Sequence, residues 1–223
     1  MKRWLVIWGL VVFTFAVLLG SPAAFWARWV DWPDGWQPQA VSGTLWQGQA
    51  QQIGPFGPVS WQLVIVGPGA DVRAGALQRQ WRLLVRGWPW QWRASLEEDG
   101  STATPEQPVA LEGNWDGRIE VRGRGQRCLS SEGSLIAPRL DLLSPWAMPL
   151  GEGELTLDCT SQPRLLARLE RSGQHRFALD ANLEARSTEL NGTVAQESEL
   201  GGLLRQFGLL GQGQRDFQTR FDW

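Results

Sequence analysis

From Trp4 to Trp26 the chain carries no charged side chain, and Leu5 to Leu19 is nearly all apolar. A helix rises about 1.5 Å per residue, so this stretch reaches about 34 Å, against a hydrocarbon core of about 30 Å. It is long enough to cross a membrane, and that restricts everything after it. Lys2 and Arg3 precede the stretch, while Arg28 stands alone behind it before Asp31 and Asp34. Such a bias leaves the N-terminus in the cytoplasm and sends the rest of the chain across. Trp4 and Trp8 at one end, and Trp26, Trp29 and Trp32 at the other, stand where indoles favour the headgroup layer. The same residues also fit the outline of a cleaved secretory signal, with Ser21, Ala23 and Ala24 as the small residues. Against that reading, the uncharged run continues through Phe25 and Trp26, and Pro22 stands just before a cut after Ala23. Both readings export the same domain and differ in whether it stays tethered.

The expected organisation follows. Residues 1–27 form a short cytoplasmic tail and a transmembrane helix acting as a signal anchor. Residues 28–40 are a juxtamembrane linker, because Asp31 to Pro38 is rich in turn and breaker residues. Residues 41–223 are an exported β-rich domain, with 41–96 and 109–223 as two candidate halves. Gly 26, Pro 13 and Trp 15 against Tyr 0 and Met 2 describe many short strands joined by turns. The net charge of -2 is spread without blocks, which excludes a nucleic-acid footprint. Cys128 and Cys159 are the two cysteines. In an exported domain such a pair is read as a disulfide, with two buried thiols as the alternative.

Val41-Ser42-Gly43-Thr44-Leu45-Trp46-Gln47-Gly48 alternates like a strand, with Trp46 between two glycines as an aromatic packed over glycine in a sheet. Val59, Trp61, Leu63 and Ile65 alternate with Ser60, Gln62 and Val64, and Trp81, Leu83 and Val85 repeat the pattern between Arg82 and Arg86. Trp88, Trp90 and Trp92 place three indoles on one predicted face. Glu97 to Pro108 reads as a long exposed loop. Leu111 to Gly117 and Leu190 to Val194 echo the Val41 to Gly48 stretch, a hint of a repeated sheet element. Ile119 and Val121, Leu155 and Leu157, Leu165 to Leu169, and Phe177 to Ala185 complete a meander. Leu140 to Trp146 is expected to form a turn of helix. Leu200, Leu203, Leu204 and Phe207 define one short helix near the C-terminus, capped by Ser198 and stopped by Gly208. The expected fold is therefore mainly β: a curved, mostly antiparallel sheet, open or a partial barrel, after an N-terminal transmembrane helix.

Groups for catalysis are scarce. His175 is the sole histidine, so no histidine-rich metal site can form, and it is expected in a hairpin turn. No metal, no cofactor and no catalytic residue is expected.

Taken together, the N-terminal anchor, the Val41 to Gly48 stretch, Trp61, the cysteine pair and Leu209-Leu210-Gly211 resemble the type II secretion system protein N family. The specific part is Gly43, Thr44, Trp46 and Gly48. One departure is Gln212-Gly213-Gln214-Arg215, which stands where the family tends to carry an acidic turn and leaves the register of the last hairpin open. The resemblance implies a non-enzymatic, single-pass inner-membrane protein with its C-terminal domain in the periplasm. It also implies a role in exporting folded proteins, through contacts with other inner-membrane or secretin components. The alternative is an envelope carrier or bridge for lipid or another apolar ligand, and a hydrolase is a third, weaker reading.

Overall fold

The computed structural model describes all residues apart from 1, 34, 65, 66, 102–109, 145, 207–209, 212 and 223. Helix α1, Lys2–Gly20, is followed after Ser21 by α2, Ala23–Ala27. The expected unbroken span from Trp4 to Trp26 is thus cut at Ser21 and Pro22. Pro22 is extended, with φ -66° and ψ 136°, and its ring nitrogen has no proton to continue the helical ladder. The nineteen residues of α1 rise about 28 Å. Among the described residues no helix is long and apolar enough to cross a membrane.

The chain forms two compact units, residues 1–88 with 99–105, and residues 89–98 with 106–223. Strands β1 (Ser42–Gly43), β2 (Gln47–Ala50), β3 (Val59–Val64), β4 (Gly69–Ala76) and β5 (Arg79–Trp88) make an antiparallel meander in the first. Leu77 and Gln78 turn β4 into β5 with φ of 53° and 65°, the left-handed pair that a two-residue hairpin demands. Register then sorts the side chains. Val59, Ala74 and Trp81 form one cross-strand row, Trp61, Val72 and Leu83 a second, and Leu63, Ala70 and Val85 a third. These rows make one apolar face. Ser60, Arg73 and Arg82 line up on the other, beside Gln62 and Asp71.

In the second unit β6 (Gln91–Ser101, of which residues 91–98 belong here), β9 (Ile119–Arg124) and β10 (Arg127–Glu132) form a ribbon. The remaining strands are β7 (Ala110–Glu112), β8 (Asp116–Gly117), β11 (Leu135–Ser144), β12 (Met148–Asp158), β13 (Arg164–Arg171), β14 (His175–Asn182), β15 (Ser187–Val194) and β16 (Asp216–Asp222). They build an antiparallel sheet in the order β16-β15-β14-β13-β12-β11-β7, with β8 also on β11. No sheet of the described residues closes on itself. Helix α3 spans Glu199–Gln206. Ser198 Oγ accepts the Gly201 N–H at 3.0 Å, the expected cap. Phe207 and Gly208 lie outside the described residues, as do Ile65 and Trp223. The core of this unit is Ala137, Leu140, Met148 and Leu150, with Trp115, Leu142, Leu169 and Leu200 packed against it. Cys128 on β10 is bonded to Cys159 just beyond β12, so the disulfide ties the ribbon to the larger sheet.

Several expectations are corrected. Residues 97–101 are strand, not loop, because the acidic run is held by cations: Glu97 pairs with Arg118 at 2.6 Å and Asp99 with Arg73 at 3.0 Å. Residues 102–108 of that expected loop lie outside the described set. Leu140 to Ser144 is strand, not helix, since β11 is hydrogen-bonded on both sides and absorbs Pro138 at a bulge. Trp88 ends β5, Trp90 stands in the next turn and Trp92 lies on β6, so the three do not share one strand. The echoes of the Gly43 to Gly48 stretch diverge too. β1 and β2 pair with each other, β7 and β8 both pair with β11, and Leu190 to Val194 lies within a single strand.

Replacing Cys128 and Cys159 together by serine should lower stability by about 3 to 4 kcal/mol, the loop-closure figure for a crosslink of this span. Urea unfolding of oxidised and serine-substituted protein measures it, and coincident curves would show that the bond carries no stability.

Candidate functional site

The Gly43 to Gly48 stretch is a hairpin rather than the single strand its alternation suggests. Thr44 N–H donates to the Gln47 carbonyl at 2.8 Å, and Thr44 Oγ1 accepts the Gln47 N–H at 3.2 Å, leaving Leu45 and Trp46 at the tip. Gly43 has φ +88°, and a Cβ there would lie 2.5 Å from the Gln47 carbonyl oxygen. Gly48 faces Trp61 across β2 and β3, and a Cβ on it would stand 2.4 Å from the indole ring. It is therefore Trp61, not Trp46, that packs over a glycine. Its Nε1 donates to the Leu45 carbonyl at 3.1 Å and pins the tip. Trp46 Nε1 is buried without an acceptor among the described residues, although the Trp46 carbonyl accepts from Leu63 N–H at 2.6 Å. The motif residues Gly43, Thr44, Trp46, Gly48 and Trp61 are thus brought together in one corner.

A cleft of about 520 Å³ opens beside this hairpin, with Gln47, Gln49, Ser60, Gln62, Asp71 and Arg73 among its walls. Asp71 takes two bonds from Arg82, at 3.1 and 2.7 Å. The bonded Arg82 guanidinium holds the Asp71 carboxyl below its ordinary range against an opposing effect of burial, and the charges of Arg82 and Arg73 add to it. Asp71, Arg73 and Arg82 escape a linear reading, since only the register of β4 on β5 sets them side by side. The side-chain amides, hydroxyls and fixed charges of the cleft present hydrogen-bond donors and acceptors.

The cysteines belong to the second unit and are bonded to each other. His175 is not in a turn: it opens β14 and is 6% exposed, with Nε2 2.8 Å from the Leu150 carbonyl oxygen. A second cleft, of about 410 Å³, does gather His175, Glu197 and Ser198. Their bonds are committed elsewhere: Ser198 Oγ donates to the Ala195 carbonyl at 2.9 Å and caps α3, while the His175 Nε2–H is spent on Leu150. Burial pushes the His175 pKa down; the bond to Leu150 opposes this, and the Arg171 charge adds to it. Among the described residues no group of three or more His, Cys, Asp or Glu is placed to hold a metal ion.

Compared with protein-family models, residues 34–220 match the one described as Type II secretion system (T2SS), protein N. No curated protein and no solved structure matches the chain.

Two measurements test the site's packing and its histidine. Trp61→Phe should cost about 0.5 to 1.5 kcal/mol through loss of its bond to Leu45, whereas Trp46→Phe removes a donor with no acceptor and should be neutral or stabilising. Equal losses in urea titrations would contradict this difference. Because the folded pKa of His175 lies below the unfolded value of about 6.5, stability is full above that value and falls as pH drops through it. His175→Gln should flatten the loss below about pH 6.5, and an unchanged pH profile would show that another group carries it.

Proposed function

The chain belongs to the type II secretion system protein N family, and from that membership we propose that it is an inner-membrane subunit of the machine, acting through protein contacts rather than catalysis. The observation that carries this reading is the family match over residues 34–220. In the proposed arrangement residues 1–27 are the cytoplasmic tail and anchor, 28–40 the linker, and 41–223 the periplasmic domain. In support of an anchor, apolar residues stand exposed along α1, among them Trp4, Ile7, Leu10, Phe13 and Val17. Its rise of about 28 Å comes close to the hydrocarbon thickness, within the mismatch that local thinning of the bilayer absorbs. The disulfide favours an oxidising compartment for the rest. The hairpin corner of Gly43, Thr44, Trp46, Gly48 and Trp61, with its polar cleft, is the proposed docking surface for another inner-membrane or secretin component.

One observation favours the second reading, a carrier for lipid or another apolar ligand. On the apolar face of the first unit Leu63 and Leu83 are each 38% exposed.

Photoreactive residues at Gln49 and Gln62, and separately at Leu63 and Leu83, discriminate the two in intact cells. Adducts with other secretion components from the cleft positions are the expected result. Lipid adducts confined to Leu63 and Leu83, with none from the cleft, would favour the carrier instead. A chain lacking residues 1–27 but exported by a cleavable signal should be released from membranes by alkaline carbonate, while the full chain stays. Release of both would overturn the anchor.

A further inference from the structure

β16 ends the larger sheet of the second unit, and among the described residues β15 is the one strand that pairs with it. It runs Asp216–Asp222 with no proline, no glycine and no shift of register. Just before it, the Val194 N–H donates to the Arg215 carbonyl at 2.8 Å. Hydrogen-bonding direction alternates along an antiparallel pair. Phe217, Thr219 and Phe221 therefore turn their backbone groups toward β15, and Asp216, Gln218, Arg220 and Asp222 turn theirs outward. An added strand can bond only to the outward set.

Charged residues on an edge usually guard it, because an added strand would oppose or bury them. On β16 they can do the reverse. If the added strand is β16 of a second copy, antiparallel and related by a twofold axis, outward residues must face outward residues. Within Asp216–Asp222 an axis through Phe217 or Phe221 pairs only three residues of each strand, whereas one through Gln218, Thr219 or Arg220 pairs five or more, so the choice lies among these three. An axis through Arg220 sets that arginine against itself, and one through Thr219 sets Asp216 against Asp222. An axis through Gln218 sets Asp216 against Arg220 twice. It also sets Phe217 against Thr219, with the two Phe217 rings at diagonal positions within reach of each other. Each Phe217 already leans on the bare backbone of Gly192 and lies 5.7 Å from the Phe177 ring, so the aromatic row would continue across the junction.

We propose that β16 is a self-association edge, through which two copies join their larger sheets antiparallel about Gln218, with Asp216 of each facing Arg220 of the other. The partner is a second copy of this chain, selected by the strand's own charge order. This stands independently of the secretion reading.

The test uses the full chain in detergent. With Cys128 and Cys159 bonded to each other, Gln218→Cys supplies one free thiol that the axis places against itself. Mild oxidation should yield a covalent dimer, and Thr219→Cys should yield far less. In sedimentation experiments Asp216→Arg and Arg220→Asp should each weaken the dimer about tenfold by setting like charges opposed, and mixing the two variants should restore it. Circular dichroism establishes that each variant is folded. A wild-type chain that stays monomeric across the concentration series, or equal crosslinking at residues 218 and 219, would overturn the proposal. So would a Gln218→Cys adduct formed in cells with a different protein and never with a second copy.

Discussion

Backbone pairing between neighbouring antiparallel strands is the interaction on which this structure depends. Among the described residues the largest side chains that are fully buried are Ile119 and Leu135, and the core cluster of the second unit has four members. Two ladders keep long, matched register, β13 on β14 and β14 on β15, each through eight consecutive residues without a shift, whereas β9 on β10 and β11 on both β12 and β7 carry register shifts. A chain built this way satisfies its backbone along the sheet and leaves the faces of the sheet half-buried.

Aromatic residues packed on glycines add apolar contact along the sheets. Trp61 lies over Gly48 and Trp92 over Gly123, each indole donating to a carbonyl in a neighbouring turn. Phe177 and Phe217 flank Gly192 from both sides. In each case a large ring covers backbone that a glycine leaves bare, so a flat strand gains apolar contact without a second layer. The disulfide adds a covalent tie between ribbon and larger sheet in the second unit, beside the hydrogen bonds that Ser131 Oγ donates to the Leu157 carbonyl and Trp115 N–H donates to Glu98. Function in such a protein is expected to lie in its edges and faces, since these carry the unsatisfied groups.

Much of this was legible in the sequence. The period of two from Val59, through Trp81, to Phe177 marks strands because one face of each is apolar, and the helix from Glu199 declares itself by its leucine spacing and Ser198 cap. The cysteine pair was also visible, as was the resemblance that the family match bears out. Two of the errors share one cause. Local chemistry suggested a loop at residues 97–101 and a helical turn at Leu140, yet partners distant in sequence decided both, through Arg118 and Arg73 in one case and β12 with β7 in the other.

The sequence by itself determined which residues alternate, which cysteines could pair and where apolar length ends, because these depend on near neighbours. Only the tertiary structure decided which tryptophan covers which glycine, that Asp71 meets Arg82, that His175 is buried against Leu150, and which backbone groups of β16 face outward. Those outcomes depend on register between strands, and shifting a register by one residue exchanges the two faces of a strand while leaving its sequence pattern unchanged.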